Sequence, residues 1–242
     1  MSIRILLLQA RDLGDLVREE ERRSFARKSG LRVEQIETHD LLAGPPKTAR
    51  LKGFDAIMVG GSGDFNVSDR SLPHIGANLE FVADVAEKGF PMYASCFGFQ
   101  MLVEALGGSI VYDPDRMEVG TYEMTLTEAG EADELMGVLP KVFPAQLGHK
   151  DCAERLPPGV THLASSRLNR FQAFRIPGQA IWATQFHPEL DARSNRQRFE
   201  RYLDSYAGVL SAEERKEAVQ RFRNSPETEA LLPQFLHLVF GV

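Results

Sequence analysis

Cysteine is scarce in this chain. Of 242 residues only Cys96 and Cys152 carry thiols, too few for a disulfide framework or a four-cysteine zinc site and too far apart for a CxxC redox pair. Blocks of lysine and arginine are missing as well. The formal net charge is −6, and without a basic block nothing favours a phosphate backbone, so no nucleic-acid partner is expected. Long apolar runs are also absent: Ile5–Leu8 is much too short for a signal-peptide core or a membrane span, and charged Arg11 and Asp12 follow at once. The expectations are no membrane partner and a cytoplasmic location. Repeats and low-complexity segments are not evident, and no metal or cofactor site is read.

What is present suits a soluble globular protein. Hydrophobic residues make up 43% and charged residues 26%, and the length suits one domain, or one domain with an appendage. Apolar runs at 3–8, 31–36, 54–59 and 90–95 read as strands, and 16–29, 75–88 and 98–106 read as helices. This alternation predicts a parallel sheet covered on both faces. Short strand candidates follow at 110–112, 121–126, 142–147, 161–165, 171–175 and 181–186, which suits antiparallel additions to that sheet. Helical patterns at 193–206, 212–222 and 228–240 form a C-terminal appendage. The expected division is a catalytic domain over 1–190 and helices over 191–242 packed on it.

Two segments carry the chemistry. In ASCFGFQ, residues 94–100, Cys96 lies between a strand and a helix, with small Ala94 two before it and Gly98 two after. A tight elbow needs small residues there, because side chains collide as the backbone reverses. The elbow also sets the thiol beside a helix N-terminus, which stabilises a thiolate. Taken alone, Cys96 reads as well as a small buried residue. In QFHPEL, residues 185–190, His187 follows a strand end and Glu189 is placed to reach back to the imidazole. A carboxylate on one ring nitrogen leaves the other to take the thiol proton. His149 is the chief rival, but its nearest carboxylate in sequence, Asp151, lacks the proline turn; Cys152 reads as an incidental residue of a polar loop.

A glycine run, Gly60-Gly61-Ser62-Gly63, follows the 54–59 strand and offers backbone donors at the same sheet edge. It lacks the GK[ST] ending of a P-loop and the placement of a dinucleotide fingerprint.

GGSG, ASCFGFQ and QFHPE, in that order, resemble the three signatures of class I (triad) glutamine amidotransferases. Ala94 replaces the first glycine of the family's G-x-C-x-G-x-Q pattern, and Ser62 replaces the proline of its usual GGP loop. Gln146–Asp151 is similar, more loosely, to a segment in the glutaminase domain of GMP synthetases. The resemblance implies a flavodoxin-like three-layer α/β domain with a mixed, mainly parallel central sheet. It also implies a triad of Cys96, His187 and Glu189, an oxyanion hole from the backbone of Gly61 and Phe97, and substrate contacts at Gln100, Gly148 and His149. The implied reaction is cleavage of the side-chain amide of glutamine through a γ-glutamyl thioester, releasing glutamate and ammonia. The implied partners are glutamine or a γ-glutamyl compound and a separate ammonia-accepting synthase subunit, since the appendage is too short for a nucleotide-binding domain. The alternative is a stand-alone γ-glutamyl peptide or amide hydrolase. A third reading is a non-catalytic binding or regulatory module, and homo-oligomer formation is left open.

Overall fold

The computed structural model describes residues 3–242, so residues 1 and 2 of the expected first unit lie outside the described residues. In chain order the strands are β1 (Ile5–Ala10), β2 (Ile36–Asp40), β3 (Ala56–Ser62), β4 (Met92–Ser95), β5 (Ser109–Tyr112), β6 (Glu118–Leu126), β7 (Val142–His149), β8 (Asp151–Arg155), β9 (Thr161–Ser166), β10 (Ala173–Arg175) and β11 (Ile181–Thr184). The helices are α1 (Val17–Ser29), α2 (Ile75–Glu87), α3 (Phe97–Ala105), the single turn α4 (Glu128–Glu131), α5 (Ala192–Arg201), α6 (Ala212–Gln220) and α7 (Leu231–Phe240).

The central strand β1 is buried along its whole length, and its period of two divides it between two cores. Leu6 and Leu8 join one with α2 and α3; Ile5 and Leu7 join the other with α1 and α7. That division produces three layers. Strands β2, β1, β3, β4 and β11 lie side by side and parallel, the flavodoxin-like order. From β11 the same sheet continues as β10, β9, β6 and β7, each antiparallel to its neighbour. Strands β5 and β8 form a separate antiparallel pair.

The last helix is joined to the core. Phe235 of α7 is fully buried, edge-on to Tyr93 of β4 and Trp182 of β11 with ring centroids at 5.7 and 6.1 Å. Burying such a side chain is worth about 2–3 kcal/mol. Near β6, Val119 packs with Phe199, Tyr206, Leu210 and Ala218 in a small third cluster built mostly from the C-terminal segment.

Several sequence-based boundaries move. The strand expected over 31–36 is replaced by a 3-10 turn, Val33–Gln35, and β2 begins only at Ile36. The reason is its position at the sheet edge: within β2 only Ile36 is buried, so an apolar run points to the wrong phase. Cys152, expected in a loop, is buried within β8. The helix expected over 193–206 ends at Arg201, and a 3-10 turn, Leu203–Tyr206, follows.

Candidate functional site

The site forms where the parallel strands end, at the sheet edge where open α/β folds carry their crevices. Strand β4 turns into α3 at Cys96, whose backbone is left-handed, with φ 52° and ψ −103°. A side chain in such a conformation is strained, at a cost of about 1–3 kcal/mol. The turn also brings α3 hard against β3. A Cβ on Gly98 would lie 2.7 Å from the Val59 Cβ and 2.8 Å from its carbonyl oxygen, so only glycine fits.

His187 sits just beyond β11, its amide hydrogen-bonded to the Gln146 carbonyl at 2.9 Å. Its Nδ1 donates to Glu189 Oε1 at 2.6 Å, and both side chains are buried. Its other nitrogen is left for Cys96. Burial alone pushes the thiol up, but the charge of His187 and a hydrogen bond to it outweigh burial and bring Cys96 below the ordinary thiol value. Burial likewise pushes His187 down, while Glu189 and Cys96 more than reverse this and raise it to about 10. Glu189 is lowered: burial opposes ionisation, but His187 and then Arg198 favour it more. At neutral pH the three groups therefore hold thiolate, imidazolium and carboxylate.

Gly61 packs directly on the imidazole, since a Cβ there would stand 3.1 Å from His187 Cε1. Phe97 supplies the first residue of α3, immediately after the thiol. Gln100 borders the cavity, but its amide donates to the Asp151 carbonyl and to Gln185 Oε1, both at 3.2 Å, so it also ties α3 to β8. Gly148 and His149, at the end of β7, line the same cavity.

His149 differs from its sequence-based description. A carboxylate does face it: Glu118, paired with it across β6 and β7, accepts from Nε2 at 3.2 Å. Its Nδ1 bonds the Asp151 carbonyl at 2.9 Å. Burial pushes this imidazole down, but contacts with Cys152 and Glu118 raise it well above its ordinary value.

Sequence reasoning missed a second group of residues entirely. Arg11, at the end of β1, is buried and grips Glu21 with two nitrogens, at 2.8 and 3.1 Å, while a third reaches the Tyr202 hydroxyl at 2.6 Å. Tyr202 also hydrogen-bonds Asp15. Gly60 makes room for this: a Cβ there would fall 2.7 Å from Glu21 Oε1. Arg198, Tyr202 and Tyr206, all from the C-terminal segment, complete the cavity wall. The available signal was weak, a charged helix carrying two aromatic residues after QFHPEL.

A buried thiol on a strand–helix elbow, faced by an imidazole–carboxylate pair at a neighbouring strand end, defines an α/β protein of the elbow-cysteine class. Within that class the family model for glutamine amidotransferase class-I matches residues 17–202, and the chain belongs to that family. It is 30% identical over 189 residues to a glutamine amidotransferase-like protein of Schizosaccharomyces pombe, covering 77% of this chain and 72% of that one. It is 28% identical over 141 residues to a glutamine-hydrolysing GMP synthase subunit of Archaeoglobus fulgidus, covering 58% of this chain and 69% of that one. The glutamine-hydrolysing GMP synthase of Thermosipho africanus is 32% identical over 136 residues, covering 56% of this chain and 24% of that protein. The chain thus spans about a quarter of the length of such synthases. In fold it is similar to a glutamine amidotransferase from Thermotoga maritima, with a TM-score of 0.70 at 20% identity over 99% of this chain and 98% of that one. Among the described residues no helix is long and apolar enough to cross a membrane.

Proposed function

We propose that this chain hydrolyses the side-chain amide of glutamine, with Cys96 as nucleophile, His187 as acid–base and Glu189 as its orienter. One observation carries the reading: a thiol on a strained elbow meets an imidazole whose far nitrogen is bonded to a buried carboxylate at 2.6 Å. The thiolate attacks the amide carbon, and the oxygen becomes an oxyanion facing the backbone amides of Gly61 and Phe97. His187 gives its proton to the nitrogen, ammonia leaves, and a γ-glutamyl thioester remains on Cys96. Water then attacks the thioester, giving a proton to His187, and collapse releases glutamate and the thiolate. The same steps cleave other γ-glutamyl amides, with an amine as leaving group. Gln100, Gly148 and His149 border the cavity where the glutamyl part would sit. The likeness to one subunit of a two-part name, a glutamine-hydrolysing GMP synthase, supports delivery of ammonia to a separate synthase chain.

Glutamine, γ-glutamyl peptides and γ-glutamyl amides assayed on the purified chain test this. We expect release of glutamate from at least one, labelling of Cys96 by a glutamine-like electrophile, and loss of turnover in Cys96→Ser. Labelling of Cys152 with activity retained in Cys96→Ser would overturn the assignment.

A further inference from the structure

The carboxylate proposed to orient His187 has a second cationic neighbour, and it comes from the C-terminal segment. Helix α5 starts directly after QFHPEL on a capping box, in which Asp191 accepts from the Ser194 amide at 2.8 Å and the Ser194 hydroxyl reaches back to the Asp191 amide. This fixes the entry of the helix, and two turns further on Arg198 points back into the protein with its side chain only 8% exposed. Its Nη1 lies 3.6 Å from Glu189 Oε1 and 3.6 Å from Glu21 Oε1. Its Nε and Nη2 approach Glu20 Oε2 at 3.0 and 2.9 Å.

Three carboxylates therefore share one guanidinium, and they are not equally provided for. Glu21 is held by Arg11 and by Gln9, whose amide donates at 2.9 Å. Glu20 is on the partly exposed side, open to water. Glu189 is fully buried, and its Oε2 has no hydrogen-bond partner among the described residues. Apart from the imidazole it serves, Arg198 is the cation it faces. Without that guanidinium, Glu21 and Glu189 would confront each other through a dry interior. Two such carboxylates tend to share a proton. A proton taken up by Glu189 removes the counter-charge of the imidazolium.

We propose that Arg198 is a positioning residue for the reaction: from α5 it keeps Glu189 ionised and turned to His187, and separates it electrically from Glu21. This rests on the reading of Cys96, His187 and Glu189 given above. A merely structural arginine would affect melting; a positioning one also moves the titration of the thiol.

The test uses the full chain and needs no identified substrate. The rate of Cys96 alkylation by iodoacetamide is followed against pH in wild type, Arg198→Met and Arg198→Lys, with Glu20→Gln as a control that keeps the guanidinium. Arg198→Met should move the acid limb of alkylation to higher pH, Arg198→Lys should restore most of it, and Glu20→Gln should leave it in place. With the best γ-glutamyl substrate, kcat of Arg198→Met should fall about tenfold while KM stays within about twofold, the sign of an interaction that matters in the reaction more than in binding. Should Arg198→Met not fold, Arg198→Gln takes its place. An acid limb that does not move in the folded variant, or one that Arg198→Lys shifts as far as Arg198→Met does, would overturn the proposal. A wild type with no γ-glutamyl turnover, in which Arg198→Met still shifts the limb, would instead defeat the proposed reaction and leave the positioning role standing.

Discussion

Two buried histidine–glutamate pairs stand at the same cavity, and they are built differently. His187 and Glu189 are two residues apart, joined by a turn, with 2.6 Å between nitrogen and oxygen. His149 and Glu118 are 31 residues apart, joined by strand register, at 3.2 Å. Both imidazoles are raised, so neither burial nor a carboxylate distinguishes them. What does is the second ring nitrogen. That of His187 is directed to Cys96, whereas that of His149 is occupied by the Asp151 carbonyl at 2.9 Å. An imidazole bonded on both nitrogens has no site left to exchange a proton with substrate, and it acts as a fixed charge. Accordingly His149 contributes to lowering the Cys96 thiol through its charge, after the larger effect of His187.

The sharpest test of this contrast is His187→Gln, which should lower kcat about ten-thousandfold, within the range of a lost acid–base group, with the fold retained by circular dichroism. Glu189→Gln should follow with a loss of about a hundredfold or more, because the imidazole keeps a neighbour but loses its counter-charge. Equal rates in wild type and Glu189→Gln would remove this carboxylate from the reaction. Glu118→Gln should do the opposite of both. It should keep kcat within about tenfold but lower stability to denaturant by about 3 kcal/mol, since it strands a buried imidazolium. If its activity fell as far as that of Glu189→Gln, the distinction between the two pairs would fail.

The smallest expected effect is on pH dependence. Both imidazoles sit above the value of an unfolded chain, about 6.5. The stability they lend is therefore complete below that pH and is lost as pH rises through the folded values, which for His187 means near 10. The denaturation midpoint of wild type should fall on the alkaline side, and Glu118→Gln should show a shallower fall.

The same contrast explains what could be read from the sequence. Cys96 and His187 were legible because an elbow and a strand-end turn are local devices, specified by small residues and a proline within a few positions. Glu118 was not, because its partner is set by the β6–β7 register, and no motif near either residue records it. The inner strands were visible as apolar runs buried on both faces, as in β1 and β4. The edge strand β2 and the polar-flanked β8 were misplaced for want of that signal. Arg11, Glu21 and Arg198 were invisible for a further reason. Charged residues on a helical pattern read as a solvated face, and only packing of α5 beside α1 turns them inward.

The left-handed backbone at Cys96 has a consequence for how this chain can change over time. Glycine relaxes such a geometry, and every other residue pays for it, so Cys96→Gly should abolish turnover yet melt at a higher temperature than wild type. Drift therefore runs downhill away from the thiol, and only selection for the reaction holds it in place. A lineage that no longer needs that reaction should lose position 96 first, while the fold around it persists.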